Sequence, residues 1–536
     1  MNQDSVRQIF ANGFGAKDSR VALLGACGLV VFLCLIPPIY LILRVSDDLS
    51  HAWEILISSS SISIMFSTLA LVCVTTIIAM GIGLFCAWLT EYTNFPYPAL
   101  FRVLFSLPLA IPTYVGAIVM ISIFSPDSFL GRMAETLGIS SLPSVYGFWG
   151  STVVLALFTY PYVFLIVRQA LAGIDRSLLE SSRILGHGAI NTFVNVVFPL
   201  LRNALFSGGL LVALYALSDF GSVSLLRFDS LTMLIFIEYD GAFDRNAASA
   251  ISLLLMVFAL LLVTALFNFR GRQTVGSLRT ARSAYRVSLG YWLIPVTIIS
   301  GLLLISAIGL PLLVLSNWLL RELDLWQAML STIKPLRDNL VVGLSAGVLT
   351  AAAAFPVALL AVRHGALRIS RPIEVLSYSG YALPGIVVGL SLVSFGIHFG
   401  FFYQSLGLLL AAYVILFLPQ ALNIQKPALL NIHPHIQEAA RSLGKNSVNV
   451  FKEMTLPLMG RGLLAASALV FLTTLKELPA TVMLSPIGFE SLALRVWTSA
   501  NDGFFAEAAL PSLLLIVFSA LALFLVDRTN FGASGQ

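Results

Sequence analysis

Mostly apolar blocks of about 20 to 25 residues recur along this whole chain, the length a helix needs to cross roughly 30 Å of hydrocarbon. Backbone groups in lipid must be paired within the chain, so only helices or a closed barrel can span. The blocks lack the alternation of barrel strands, which leaves helices. Charged residues make up 11% of the 536, against about 25% in soluble domains. The expected fold is an all-α integral membrane protein of about twelve spans. They fall near 21–45, 63–88, 100–124, 146–170, 203–226, 247–269, 291–316, 338–362, 374–398, 404–428, 462–484 and 508–527. The first block is too long for a signal-peptide core and lacks a small-x-small site, so it reads as a span.

Charge sets the orientation. With the N-terminus inside and span-edge charges given to the nearer side, inner segments hold 22 Lys plus Arg and 9 acids, outer segments 8 and 15. Basic residues concentrate on the cytoplasmic side of membrane proteins, so both termini are placed there. Arg270 to Arg286, with five arginines and no acid, reads as a cytoplasmic linker rather than a nucleic-acid patch. Cys27, Cys34, Cys73 and Cys86 read as packing residues. No third His or Cys joins His433 and His435 at ligand spacing, so no metal site is expected.

The chain repeats itself. From Glu180 to Leu200 and from Glu438 to Leu458, at an offset of 258, eight of 21 positions are identical: Glu, Arg, Leu, Gly, Asn, Phe, Pro and Leu. The same offset sets Asp219 on Glu477, while Pro112 corresponds to Pro384 at an offset of 272. The organisation is a first six-span half over 1–269, an Arg-rich linker over 270–290 and a second half over 291–536. An even span count gives both halves one orientation, related by a pseudo-twofold axis along the membrane normal.

Each repeated segment lies in the inner loop between the fourth and fifth spans of its half and reads as helix, turn, helix, stop. Ser177 and Glu180 form a capping box, and Pro434 suits an early helical position in the other copy. Gly186 and Gly444 close the first helix, since glycine best tolerates a left-handed position. The second helix carries Ile190 and Phe193, or Val448 and Phe451, on one face, and Pro199 and Pro457 are expected to end it. Such a knob suits docking of a cytoplasmic subunit; the alternative is a surface loop duplicated with the rest of the chain.

Glu438-Ala439-Ala440-Arg441, with Gly444 at the seventh position and a downstream Leu-Pro, resembles the EAA loop of permeases from binding-protein-dependent ABC importers. The first copy, with Glu180, Arg183 and Gly186, departs by carrying Ser181 and Ser182 in place of the alanines. The resemblance implies a type I importer permease of the bacterial inner membrane whose loops dock on two copies of an ATPase subunit. ATP and magnesium would be bound by those partners, with no cofactor on this chain, and an extracytoplasmic binding protein would deliver substrate. This chain has no Walker A: its one Gly-Lys pair, Gly444-Lys445, is followed by Asn446, so it is not expected to be the enzyme.

Ionisable residues within spans usually face a bundle interior, which singles out Asp219, Lys476 and Glu477 as pathway or gate residues; a structural ion pair or an interfacial position is the alternative. Pro112 and Pro384 are expected to bend the third spans toward the pathway, or merely to kink their packing. LPLAIPTYVGA, SDFGS and LKELPAT resemble fused permeases of ferric-iron importers; such fused chains also serve thiamine and aminoalkylphosphonate. A secondary transporter of the major-facilitator type is the rival class, but Glu91 to Arg102 lacks its inner signature.

Overall fold

The computed structural model describes residues 17–126, 128–137, 142–174, 178, 181–182, 184–186, 188–270, 287–321, 325–365, 367–400, 402–433, 435–436, 442 and 447–531. Helices dominate them, and the one β-bridge joins Thr93 to Val287. Among the described residues nine helices are long and apolar enough to span, or ten if one bent pair is a single span. Two shorter apolar helices, Gly385–His398 and Phe505–Leu521, fall on the ninth and twelfth expected spans. With the bent pair these fill the twelve expected places, and the third span of each half is broken at its proline.

The reason is the same in both halves. Pro112 and Pro384 lack an N–H and stand in extended geometry (ψ 143° and 144°) at the start of Thr113–Phe124 and Gly385–His398. The residue before a proline is pushed out of the helical region, and Ile111 (ψ 118°) and Leu383 (ψ 107°) obey. In the first half the axis turns by 91° between Pro98–Ala110 and Thr113–Phe124.

The fifth and eleventh spans correct an expectation. Pro199 and Pro457 do not end a helix. In each half one π-turn, Phe193–Val197 or Phe451–Thr455, precedes the proline, and the helix continues to Ser218 or Leu475. Phe198 N–H bonds to Phe193 O, and Leu456 N–H to Phe451 O. The wide turn makes room at the missing donor, as π-bulges do. These spans accordingly run over Phe193–Ser218 and Phe451–Leu475, shifted from 203–226 and 462–484.

The halves are interleaved. Cys27, Val30 and Cys34 of the first span pack into a cluster with Ala351, Ala354, Val357 and Ala358 of the second half. Reciprocally, Val296, Leu303 and Leu304 of Gly290–Arg321 pack against Ala79, Cys86 and Tyr160 of the first. Small residues permit this approach where lipid supplies no hydrophobic drive between helices. Within the linker, whose residues 271–286 lie outside the described set, Val287 pairs with the end of the second span: its N–H donates to Tyr92 O (2.8 Å) and its carbonyl accepts from Asn94 N (3.0 Å).

Candidate translocation pathway

A cavity of about 520 Å³ lies between the halves, and Pro112, Asp219, Pro384, Lys476 and Glu477 all line it. The sequence chose these five residues from two different signals, proline and in-span charge. The fold brings them to one place.

The two carboxylates do the same local job. The fifth span stops at Ser218, and a short helix, Gly221–Leu225, follows; the eleventh stops at Leu475, followed by Pro479–Leu484. Each break leaves amide donors without partners. Asp219, 8% exposed, accepts at Oδ1 from Ser222 N (3.0 Å) and Ser222 Oγ (2.5 Å) and at Oδ2 from Thr113 Oγ1 (2.6 Å). Glu477 accepts from Ala480 N (2.9 Å), Thr481 N (3.1 Å) and Thr481 Oγ1 (2.7 Å). Neither acid makes an ion pair among the described residues. Both cap a helix start and line the cavity.

Lys476 reaches across the halves: its ammonium donates to the carbonyl of Leu109 (3.2 Å), beside the break in the third span. Thr113, Ser222, Ala480 and Thr481 are site residues the sequence reading missed. The signal was present, since an acid followed three residues later by Ser, or three and four later by Ala and Thr, is the spacing of a helix N-cap.

At the far end of the fifth span, Gly186 has φ +84°, the left-handed geometry expected of it. Ile184 and Leu185 beside it are 85% and 75% exposed. Phe193 and Phe451 are half-buried against the bundle. Phe193 packs on the cluster that holds Leu171 and Val197, and Phe451 lies 5.7 Å from Phe355. An apolar ring beside a long span gains more from the bundle than from water, so these rings tether the loop. Ser182, 5% exposed, lies 3.0 Å from Thr192 Oγ1 across the turn. Ser177, Glu180, Arg183, Pro434, Glu438, Ala439, Ala440, Arg441 and Gly444 lie outside the described residues, as do the side chains of Ile190 and Val448.

Comparison with known proteins matches residues 79–274 to the family of binding-protein-dependent transport system inner membrane components. The Fe(3+)-transport system permease protein FbpB 2 of Haemophilus influenzae is 33% identical over 507 residues, covering 93% of this chain and 96% of that one. The chain belongs to this permease family. It is thus a transport subunit of an ABC importer, and its apolar helices are those of an inner-membrane component. The ferric transport system permease protein FbpB of Actinobacillus pleuropneumoniae is 23% identical over 480 residues, 84% of this permease and 68% of that protein. The sulfate transport system permease protein CysT of Escherichia coli is 29% identical over 264 residues, 47% of this permease and 94% of that protein.

Proposed function

We propose that this permease carries ferric iron across the cytoplasmic membrane, handed over by an extracytoplasmic binding protein and driven by two ATPase subunits that bind ATP and magnesium. The observation that carries the substrate is the likeness, over 93% of the chain, to a relative named as an Fe(3+) permease. The ATPase subunits sit on the loops ahead of the fifth and eleventh spans, so both termini are cytosolic. Exposed Ile184 and Leu185 beside the left-handed Gly186 support the first of these docking points. In the second copy Glu438, Ala439, Ala440, Arg441 and Gly444 take the same role.

The uninterrupted helix supports the coupling. From Ala189 to Ser218 helical structure runs without a break, about 45 Å at 1.5 Å per residue. It joins the loop to the Asp219 cap at the cavity. A push on the loop moves the cap as a rigid end, and the two halves, meeting at the cavity, rock against each other.

The test is uptake of radioactive ferric iron by proteoliposomes holding permease, ATPase and binding protein. Uptake that requires ATP and both partners is expected. Uptake by the permease alone would sink the reading in favour of a secondary transporter. One observation favours a second substrate class, an oxyanion such as sulfate: the Lys476 ammonium lines the cavity, and relatives that match one half carry sulfate in their names. Labelled sulfate in the same assay decides between them.

A further inference from the structure

Beyond the cavity, at the end of the fifth span opposite the repeated loop, three aromatic rings from the two halves meet. Trp497 of the second half lies 5.7 Å from Phe220 and 6.1 Å from Phe236 of the first, ring centre to ring centre. Phe220 and Phe236 are 5.2 Å apart. The Trp497 indole N–H donates to Ser224 Oγ (3.1 Å) across the halves. Phe220 is fully buried and is itself part of the cavity wall.

Two of these rings ride on helices built to one plan. Ser230 caps the helix that starts at Leu231, accepting from Met233 N; Ser491 caps the one that starts at Leu492, accepting from Leu494 N. Phe236 and Trp497 each stand six residues past the capping serine, and Phe243 and Phe504 thirteen past it. The offset between halves is 261 at all three positions. Phe243 and Phe504 are 81% and 61% exposed. Both stand at sharp turns: Phe243 itself has φ +58°, and Gly503 before Phe504 has φ +85°. A bulky residue held left-handed is strained and points to a functional constraint. Acids flank both tips, Asp240 and Asp244 at one, Asp502 and Glu507 at the other; Asp244 bonds to His51 and Glu507 to Arg495, so the acidic rim rests on Asp240 and Asp502.

We propose that Phe220, Phe236 and Trp497 form the seam that closes the cavity on the extracytoplasmic side, and that the binding protein opens it by engaging Phe243 and Phe504. The proposal rests on the orientation and partner given under the proposed function. A partner that spans both halves has to meet two apolar knobs with acidic rims, so its face carries two apolar pockets edged by Lys or Arg. Each knob stands seven residues past a seam ring, just beyond the end of the helix that carries the ring, so tilting the two helices apart parts Trp497 from Phe236. Aromatic anchors of this sort dominate interfaces.

The experiment uses the complete complex in lipid nanodiscs and reads ATP hydrolysis against the concentration of its binding protein. Phe243→Ser and Phe504→Ser are each expected to raise the concentration for half-maximal stimulation by roughly tenfold or more, and the double variant to abolish stimulation. Trp497→Ala is expected to raise hydrolysis in the absence of binding protein several-fold, and Trp497→Phe, which keeps a ring but loses the N–H, by less. Co-purification of the ATPase shows that each variant assembled. Where Trp497→Ala does not assemble, Ser224→Ala, which removes the acceptor of the indole N–H together with that hydroxyl's own bond to Gly221 O, is expected to raise unstimulated hydrolysis as Trp497→Phe does. Normal stimulation of the double phenylalanine variant would assign the tips to lipid and overturn the docking surface. Unchanged unstimulated hydrolysis in the Trp497 or Ser224 variants would overturn the seam. Wild-type stimulation without iron uptake would remove only the iron assignment, because hydrolysis is read without following cargo.

Discussion

The two halves solve one packing problem with different residues. In the first, the short Asp219 side chain leaves a gap to the third span, and Thr113 fills it with a hydroxyl that donates to the carboxylate. In the second, the longer Glu477 occupies that gap, and the position equivalent to Thr113 is Gly385. A Cβ on Gly385 would stand 2.7 Å from Glu477 Oε1. Acid length and the facing residue form a matched pair: Asp with Thr, Glu with Gly. The repeated loops show a second matched pair. Ser182 and Thr192 lie within hydrogen-bonding distance in the first copy, where the second carries Ala440 and a buried Val450. What the duplication keeps is the fit, not the residues.

The most forceful way to break the comparison is to truncate the acids. Asp219→Ala strands the amides of Ser222 and Val223 and two hydroxyls, at roughly 1–3 kcal/mol for each buried donor left unpaired. Thermal unfolding in detergent is expected to show a larger loss there than for Glu477→Ala, which strands donors of Ala480 and Thr481 but none on the third span. Equal losses would mean that Thr113 contributes nothing.

Next in size is the mismatch. Gly385→Thr forces atoms into occupied space and is expected to cost about 1–3 kcal/mol. Adding Glu477→Asp recreates the pairing of the first half and should recover most of that loss, a coupling that a double-mutant cycle measures. A merely additive double variant would refute the matched pair.

Smaller is the loop. Thr192→Val leaves the buried Ser182 hydroxyl without its partner and is expected to lower the unfolding temperature of the first half. Ser182→Ala added to it copies the second loop and should be close to neutral, because replacing both partners removes the unmet donor.

The smallest effect concerns the tips at Phe243 and Phe504. The first is pinned by His51 Nε2 to Asp244 Oδ2 at 2.6 Å, the second by Arg495 Nη2 to Glu507 Oε2 at 2.8 Å. The Asp244 hydrogen bond, with the charges of Asp244, Asp48 and Glu54, holds His51 above its ordinary value near 6.5. Burial pushes the Asp244 carboxyl up, but the Ala247 amide and His51 outweigh it, so it lies below its ordinary 3.8. His51 therefore contributes fully below about pH 6.5 and loses its contribution as pH rises through its raised value. Asp244 contributes above about pH 4 and loses its part as pH falls through its lowered value. Hydrogen exchange at residues 240–246 is expected to be slowest near pH 5, after correction for intrinsic rates, and to quicken as the pH climbs past neutrality. The change is small because both side chains are part exposed. Residues 501–507 should show no such dependence, and His51→Gln should remove it from the first tip.

The sequence by itself determined that the chain spans a membrane as helices, that it is two copies of one unit, and where the paired loops and in-span charges fall. Those signals are local or periodic: apolar run length, a fixed offset, a glycine at one spacing. The tertiary structure decided that Pro199 and Pro457 are absorbed by π-turns, because a helix held on many sides can widen by one residue rather than stop. It also decided that Phe193 and Phe451 face the bundle, and that each half lends its first span to the other. The capping roles of Asp219 and Glu477 needed the break in the span to become visible. The repeat sets Phe236 and Trp497 at equivalent positions of the two halves, but only the fold brings both onto Phe220.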